Sequence, residues 1–600
     1  MLDVRVYRAA FVPALVALFV AAFSLADRPG AILSPLEADA FDAERAFGGR
    51  AALPNSLMEL GRTFPARAPG SAGDAALADR VASTLAAEDR TGRPGYRVTR
   101  EREGEVETVV GVRPGLSSRR VVVLTHRDAV GRPGLAELSG TAAMLELARL
   151  LRARDLGKTL MLVSTSGATE GFTGARAWAR GAADSPIDAV LVLGDLAGAR
   201  VAKPWVVPWS QGSGPVNLAL LRTVENAVRG ETRSRPGGSR ASAQWVRRAL
   251  PATVSGQGVV AEAGLPAVMI GVSGERGPAR DVDVRAAHLE EFGRAALRAV
   301  TAIESAEPPA DDADAPTFAG GPEGIVTMRN VLPDWAVRLL VGTLLLPALL
   351  TALDGFFRVR RRRLAVGPWL GWLAATGLPL LLAWAWLRLL GATGALEPPA
   401  SPVLPLPPLG AAGAVALGST VMVVGLGWFG LRPLILARAG ARSSPAAGGL
   451  AAATGALLCT VAALVWVANP YAAGLLLPAA HLWLFAAAPQ TRLRGWAGVL
   501  ALLAGVLPAL LVVVHYMQAL RLDPLELGWA ALLGAASGSL SLAFALVVSA
   551  LAACLAALVL VMRTRRRIAA GAPPEPLRTR GPAGYAGPGS LGGTESALRR

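Results

Sequence analysis

The sequence predicts two structural classes in one chain: an α/β domain with a mostly parallel sheet covered by helices, and an all-α bundle of membrane spans. Three observations predict it. Apolar residues make up 52% of the 600, but the uninterrupted apolar blocks lie beyond residue 330, separating a water-facing half from a lipid-facing one. Between about 50 and 305, short apolar runs bounded by turn residues alternate with stretches of 3.6-residue periodicity. Finally, Arg5 and Arg8 precede an apolar run from Ala9 to Ala26, long enough to span a bilayer and to deliver the α/β domain across it.

Residues 1–30 form that N-terminal segment and its flank. It is expected to remain as an anchor, although Ser24-Leu25-Ala26 offers a small-x-small cleavage site. Within 50–305, the runs 121–124, 160–163, 189–193 and 267–272 read as buried parallel strands. Residues 141–151 form a helix with Met144, Leu147, Ala148 and Leu151 on one face, and a helix over 286–303 closes the domain. Residues 306–330 are acidic and rich in Pro and Gly, the composition of a linker.

From 331 to 563 the chain holds about seven spans, near 335–357, 367–390, 410–436, 446–468, 470–488, 495–519 and 538–562. Arginine placement orients them. Five arginines lie between 358 and 363, three between 432 and 442, and four between 563 and 567, with Arg492 and Arg494 in a further loop. These fall at alternate ends, so the positive-inside rule makes both termini cytoplasmic and the α/β domain extracytoplasmic in a multi-pass plasma-membrane protein. Residues 524–537 then form a short re-entrant or interfacial helix, or lengthen the last span. The Gly/Pro/Arg-rich segment 564–600 reads as a disordered tail.

The net charge of +16 sits in those juxtamembrane clusters, where anionic headgroups meet it. Without a basic stripe interleaved with aromatics, nucleic acid is excluded as a partner. The lipid bilayer is the expected one. Cys459 and Cys554, the two cysteines, fall inside apolar segments, so the α/β domain has no disulfide, thiol nucleophile or cysteine metal site. In the spans, His481 and His515 lack acidic partners and are expected to hydrogen-bond between helices. Arg338, Asp354, Arg388 and Arg432 lie near span ends and can snorkel.

His126 and Asp128 stand at the carboxyl end of the strand 121–124, where open α/β sheets place ligands. A neighbouring carboxylate can hold a metal-binding imidazole in one tautomer. Asp195, after the strand 189–193, points to the same crevice. Taken alone these residues also suit ordinary turns and caps.

Four segments in order resemble the M28 family of zinc-dependent aminopeptidases: VVVLTHRDAVGRPGLAELSGTAAMLELARLL, TLMLVSTSGATEGFTGARAWA, VLVLGDLAG and SGQGVVAEAGLPAVMI. The resemblance covers residues 50–305 and implies a zinc-aminopeptidase-like fold. Matched position by position, it makes His126 a zinc ligand, Asp128 its supporting carboxylate and Asp195 a second zinc ligand. It also puts Ala136 at the metal-bridging aspartate, Ala168 at the general base and Thr169 at a zinc-binding glutamate. The late histidine segment falls near Arg276-Gly277-Pro278, and Gly256 and Gln257 replace an Asp-His pair. A co-catalytic zinc pair needs about five protein ligands and a base.

The expectation is therefore a catalytically inactive pseudopeptidase without cofactor, which binds or scaffolds a peptide or protein terminus or a partner membrane protein. An active zinc aminopeptidase using the displaced carboxylates Glu137 and Glu170 is the alternative, and a permease with a receptor domain is a second. His288 is given no role. The layout of one span, a degenerate M28-like domain and a helical bundle is similar to the anchor-attachment subunit of the GPI transamidase.

Overall fold

The chain begins with an apolar span, Val6–Phe23, whose main helix α1 (Val12–Phe23) carries proline in the first turn, where no helical N–H is needed. A computed structural model describes residues 4–569 apart from 50–52, 89–91, 130, 213–216, 239, 280–281, 308–316, 319–322, 328, 440–447 and 489–494. The expected tail beyond 569 thus lies outside the described residues.

After β1 (Ala26–Asp27), seven strands build the sheet of the α/β domain: β2 (Arg97–Glu103), β3 (Val106–Arg113), β4 (Ser117–His126), β5 (Lys158–Thr165), β6 (Ile187–Leu193), β7 (Val206–Val207) and β8 (Ala267–Ile270). Their order is β2-β3-β5-β4-β6-β8-β7. The four expected strands are the central, parallel ones. Both margins are antiparallel, so the sheet is mixed. The hairpin β2–β3 escapes a periodicity reading because β2 reads RVTRERE, with almost every side chain exposed. Charges of both signs along an edge strand discourage pairing with another chain.

Alternation along β4 sorts side chains into two cores. Val121 and Val123 join the cluster beneath α2 (Leu135–Arg152), α3 (Leu218–Thr232) and α5 (Ala286–Glu304). Val122 and Leu124 join Trp178, Val259 and Leu265 on the opposite face. A fourth helix, α4 (Ala241–Ala249), stands outside both cores. Close packing of α2 on the sheet depends on Gly140: a Cβ there would come within 2.7 Å of the Leu193 carbonyl oxygen.

Part of the segment expected as a linker is ordered. β9 (Gly324–Val326) and β10 (Asn330–Pro333) pair with β1 in a small antiparallel sheet, which ties the end of the first span to the start of the second. The remaining spans are α6 (Asp334–Arg361), α7 (Gly367–Ala392), α8 (Ala411–Gly425, continued by a π-helical turn and a further helix), α9 (Gly449–Ala468), α10 (Pro470–Ala487), α11 (Gly495–Leu520) and α13 (Leu542–Ala569). With the N-terminal one, eight helices among the described residues are long and apolar enough to cross a membrane. Between the last two lies α12 (Pro524–Ser537). Its fourteen residues reach only about 21 Å, short of a bilayer core of about 30 Å. An Asp523/Glu526 capping box starts it and left-handed Gly538 ends it, so it is a helix of its own and no extension of α13.

His481 hydrogen-bonds between helices as expected. Its Nε2 meets the Leu344 carbonyl at 2.9 Å, so Nδ1 accepts from the Tyr7 hydroxyl at 2.8 Å, joining the N-terminal span to the bundle. For His515 the expectation fails, since its Nε2 is buried without a partner among the described residues. The next residue, Tyr516, turned about 100° around the helix, donates instead to the Leu250 carbonyl of the α/β domain. Arg432 does more than reach for the interface: it follows the π-turn Leu426–Leu431, lies 4.5 Å over the Trp428 ring and donates to Thr376.

The α/β domain docks onto the bundle chiefly through α4. Trp245 donates to the Tyr471 carbonyl (2.9 Å), and the Asn469 amide donates to the Arg248 carbonyl (2.8 Å). Arg248 forks onto Asp334 at 2.9 and 2.8 Å. Within the α/β domain, Arg247 forks onto Glu275 at 2.8 and 2.6 Å, with both side chains almost fully buried, and its guanidinium meets the bundle 4.9 Å over the Tyr516 ring. The loop between α7 and α8 adds a contact, with Arg176 donating to Ser401. These contacts fall at the span ends opposite those bearing Arg358–Arg361 and Arg565–Arg567.

Candidate functional site

Three parallel strands aim their carboxyl ends at one crevice. β4 ends in His126 and runs into Arg127 and Asp128, β5 leads to the turn Ala168–Glu170, and β6 leads to Asp195. Strand alternation turns Arg127 away from its two neighbours. It is fully buried on the far side, 2.8 Å from Asp74, and donates to the carbonyls of Ser164 and Glu107. Arg67 is buried as well and donates to the carbonyls of Arg127, Phe64, Pro133 and Gly134. Sequence patterning gives Arg67, Asp74 and Arg127 no role. The signal that marks them is an arginine inside an otherwise apolar strand end, since a buried guanidinium requires a partner.

Asp128 accepts from the backbone N–H of Ala168 (3.1 Å) and of Thr169 (3.0 Å), and from the Thr169 hydroxyl (3.1 Å). Gly167 and Gly171, both left-handed at φ +80 and +92, fold this turn sharply enough to bring those donors round. The Asp128 carboxylate therefore acts as a clamp on the turn. Ala136 is buried in the first turn of α2.

Asp195 is 3% exposed. Its Oδ1 accepts from Gly198 N (2.7 Å) and Ala197 N (3.0 Å), the cap role that such a residue commonly has. Among the described residues Oδ2 is buried with no hydrogen-bond partner, and burial raises this carboxyl above its ordinary range against the pull of the Gly198 and Ala197 N–H groups and the Ser273 hydroxyl. His288 on the closing helix meets the Gly198 carbonyl at 2.8 Å, steadying the same loop.

Glu137 lies close enough to Asp195 and Asp128 to feel their charge, which adds to burial in pushing its carboxyl up to about 7. Burial also lowers the His126 imidazole from its ordinary value, so it is neutral at pH 7. Glu170 is exposed on its turn; partial burial, and then the charges of Asp128 and Glu105, raise its carboxyl.

The sequence profile of Peptidase family M28 matches residues 108–240, which hold all of these strand ends. This segment is M28 peptidase-like. Solved structures to which the chain is similar include a Zn-dependent exopeptidase from Parabacteroides distasonis (17% identity, 43% of this chain and 98% of that one, TM-score 0.31). Others are the LapA aminopeptidase of Legionella pneumophila (12% identity, 45% and 73%, TM-score 0.35) and an Acidobacteriales bacterium glutaminyl cyclase (19% identity, 46% and 99%, TM-score 0.34). No curated protein sequence matches the chain.

Zinc is the metal implied by this family, and the residues present do not fit it. Among the described residues, no group of three or more His, Cys, Asp or Glu side chains converges as a metal ion requires. His126 and Asp195 remain as donors, and the neighbouring carboxylate Asp128 is already bound to the turn.

Proposed function

We propose that the M28 peptidase-like domain is a pseudopeptidase, held outside the cytoplasm by the membrane spans, that binds or scaffolds a peptide or protein terminus without hydrolysing it. The observation that carries this reading is the turn Ala168–Glu170. Where the family places a general base and a zinc ligand, this turn presents Ala168 and Thr169, and their donors occupy Asp128. A carboxylate base must reach a water, and an alanine side chain cannot take a proton from it. Docking of the domain at the span ends opposite the arginine clusters supports an extracytoplasmic position, with both termini cytoplasmic.

One observation favours the alternative, an active zinc enzyme with displaced ligands: Glu137, poised near neutrality beside Asp195. Metal analysis of the purified full-length protein, with an aminoacyl-nitroanilide hydrolysis assay, separates the two. The pseudopeptidase should carry substoichiometric zinc and release no product above the buffer rate. Stoichiometric zinc that disappears in His126→Ala, together with hydrolysis, would overturn the reading.

A further inference from the structure

An open cleft enclosing about 80 Å³ lies at the foot of the α/β domain, and neither His126 nor Asp195 lines it. The chain just beyond the first span forms one wall with Arg28 and Pro29, and α3 forms another with Leu218, Leu221, Arg222 and Glu225. Gly324 and Val326 of β9, close to where α6 enters the membrane, also line it. Its mouth is thus placed at the level where lipid headgroups meet water.

The charges in this cleft do not balance. Glu225 is the carboxylate among its lining residues, against Arg28, Arg222 and Arg248. Arg248 is committed to Asp334. Arg222 reaches Glu225 at 3.5 Å, and Arg229 on the same helix also acts on that carboxylate. Arg28 makes no ion pair or hydrogen bond with the described residues; burial and then the charge of Arg222 disfavour its charged form, and Glu225 offsets them only in part. The Nε atoms of Arg28 and Arg222 are both buried and unpartnered. Two guanidinium groups sharing one carboxylate repel each other unless an anion joins them, and arginine forks suit phosphate oxygens. Trp209, Leu218, Leu221 and Val206 give the cleft an apolar lining that would accept the carbon part of an amphiphile, and the Gln244 amide is already engaged with Val326.

We propose that this cleft binds a phosphate-bearing anion, with Arg28 and Arg222 as its ligands and the headgroup of an anionic phospholipid as the occupant its position favours. The site needs neither the M28 crevice nor a metal.

Native mass spectrometry of the detergent-solubilised full-length protein tests this, with phosphatidylglycerol and phosphatidylcholine as lipid probes and inorganic phosphate as a competitor. Phosphatidylglycerol should be retained in preference to phosphatidylcholine. The Arg28→Gln/Arg222→Gln variant should bind it about tenfold more weakly or worse, the loss of one charge-assisted contact or more. Gly238→Leu gives an independent check. A Cβ there meets only Glu225 Oε1, at 3.5 Å, so the side chain fills the cleft without strain and should displace lipid at unchanged thermal stability. Arg97→Gln, on the far edge strand, should bind as the parent does. Displacement of lipid by millimolar inorganic phosphate supports the phosphate site and assigns it to the soluble ion. Equal retention of the two lipids, or unchanged binding in both the double variant and Gly238→Leu, overturns the proposal.

Discussion

Two of the places where the α/β domain buries charge differ in the partners those charges meet. At the foot, Arg247 and Glu275 are 3% and 1% exposed and share two hydrogen bonds, while Arg248 and Asp334 share another two and Tyr471 adds a third partner at 2.5 Å. At the crevice, Asp195 keeps an unpartnered oxygen and Glu137 is held near neutrality among other carboxylates. At the positions where the M28 resemblance puts a bridging carboxylate, a base and a further ligand, the chain carries Ala136, Ala168 and Thr169. The foot ties the domain to the membrane bundle; on the pseudopeptidase reading proposed above, the crevice keeps raised carboxyl groups but lacks the residues that would use them.

The sharpest way to break this contrast is to return one reagent. Ala136→Asp would return the carboxylate that the M28 resemblance puts at this position, which with His126 and Asp195 would bring the donors to the three that a catalytic zinc site uses. Zinc content should rise from substoichiometric to about one ion per chain, read by elemental analysis or calorimetry. If the variant takes up no more metal than its parent, the crevice is not one ligand short and its loss of geometry runs deeper. At the foot, Glu275→Ala leaves Arg247 buried and uncompensated. Removing one partner of such a pair costs about 3–5 kcal/mol. Thermal unfolding in detergent and protease cleavage around α4 should both show it, and an unchanged melting curve would mean that the foot is not what holds the domain.

Much of this arrangement is legible in the residues and part is not. The four central strands announce themselves as apolar runs because both faces are buried. The spans do so because lipid demands some twenty apolar residues. The position of the crevice follows from strand ends, since β4 and β6 must place His126 and Asp195 side by side once they pair in parallel. The docking foot leaves no such trace. Trp245 and Tyr471, or Arg248 and Asp334, are joined only by tertiary structure, and no local period marks a partner so far along the chain. Arg67 and Arg127 escape notice for a related reason: whether an arginine is solvated or buried depends on what the opposite face of the sheet carries.

The crevice also makes a pH prediction. Glu137 titrates near 7 when folded and near its ordinary value of 4.5 when unfolded, so between those values the folded state binds more protons. Stability should therefore fall as pH rises through this window and level off above it, by about 3 kcal/mol in all. Glu137→Gln should abolish that slope and leave the protein more stable than its parent at pH 8. Denaturant titrations at pH 5 and pH 8 measure both, and parallel behaviour of the two proteins would show that Glu137 is solvated.

The smallest effect expected lies in the turn that carries the functional reading. Thr169→Val keeps the shape and removes one hydroxyl donated to a carboxylate at 3.1 Å. Hydrogen bonds to charged groups contribute about 1.5–3 kcal/mol, and the two backbone donors of the same carboxylate stay in place. The cost should fall at the low end, about 1.5 kcal/mol, and should appear locally, as faster amide exchange at Ala168 and Thr169 with the core strands unaffected. Asp128→Asn, which weakens all three bonds at once, should enlarge the same local effect. If Thr169→Val instead leaves exchange in the turn unchanged, Asp128 is free to serve another partner, and a metal with displaced ligands becomes the better account of this crevice.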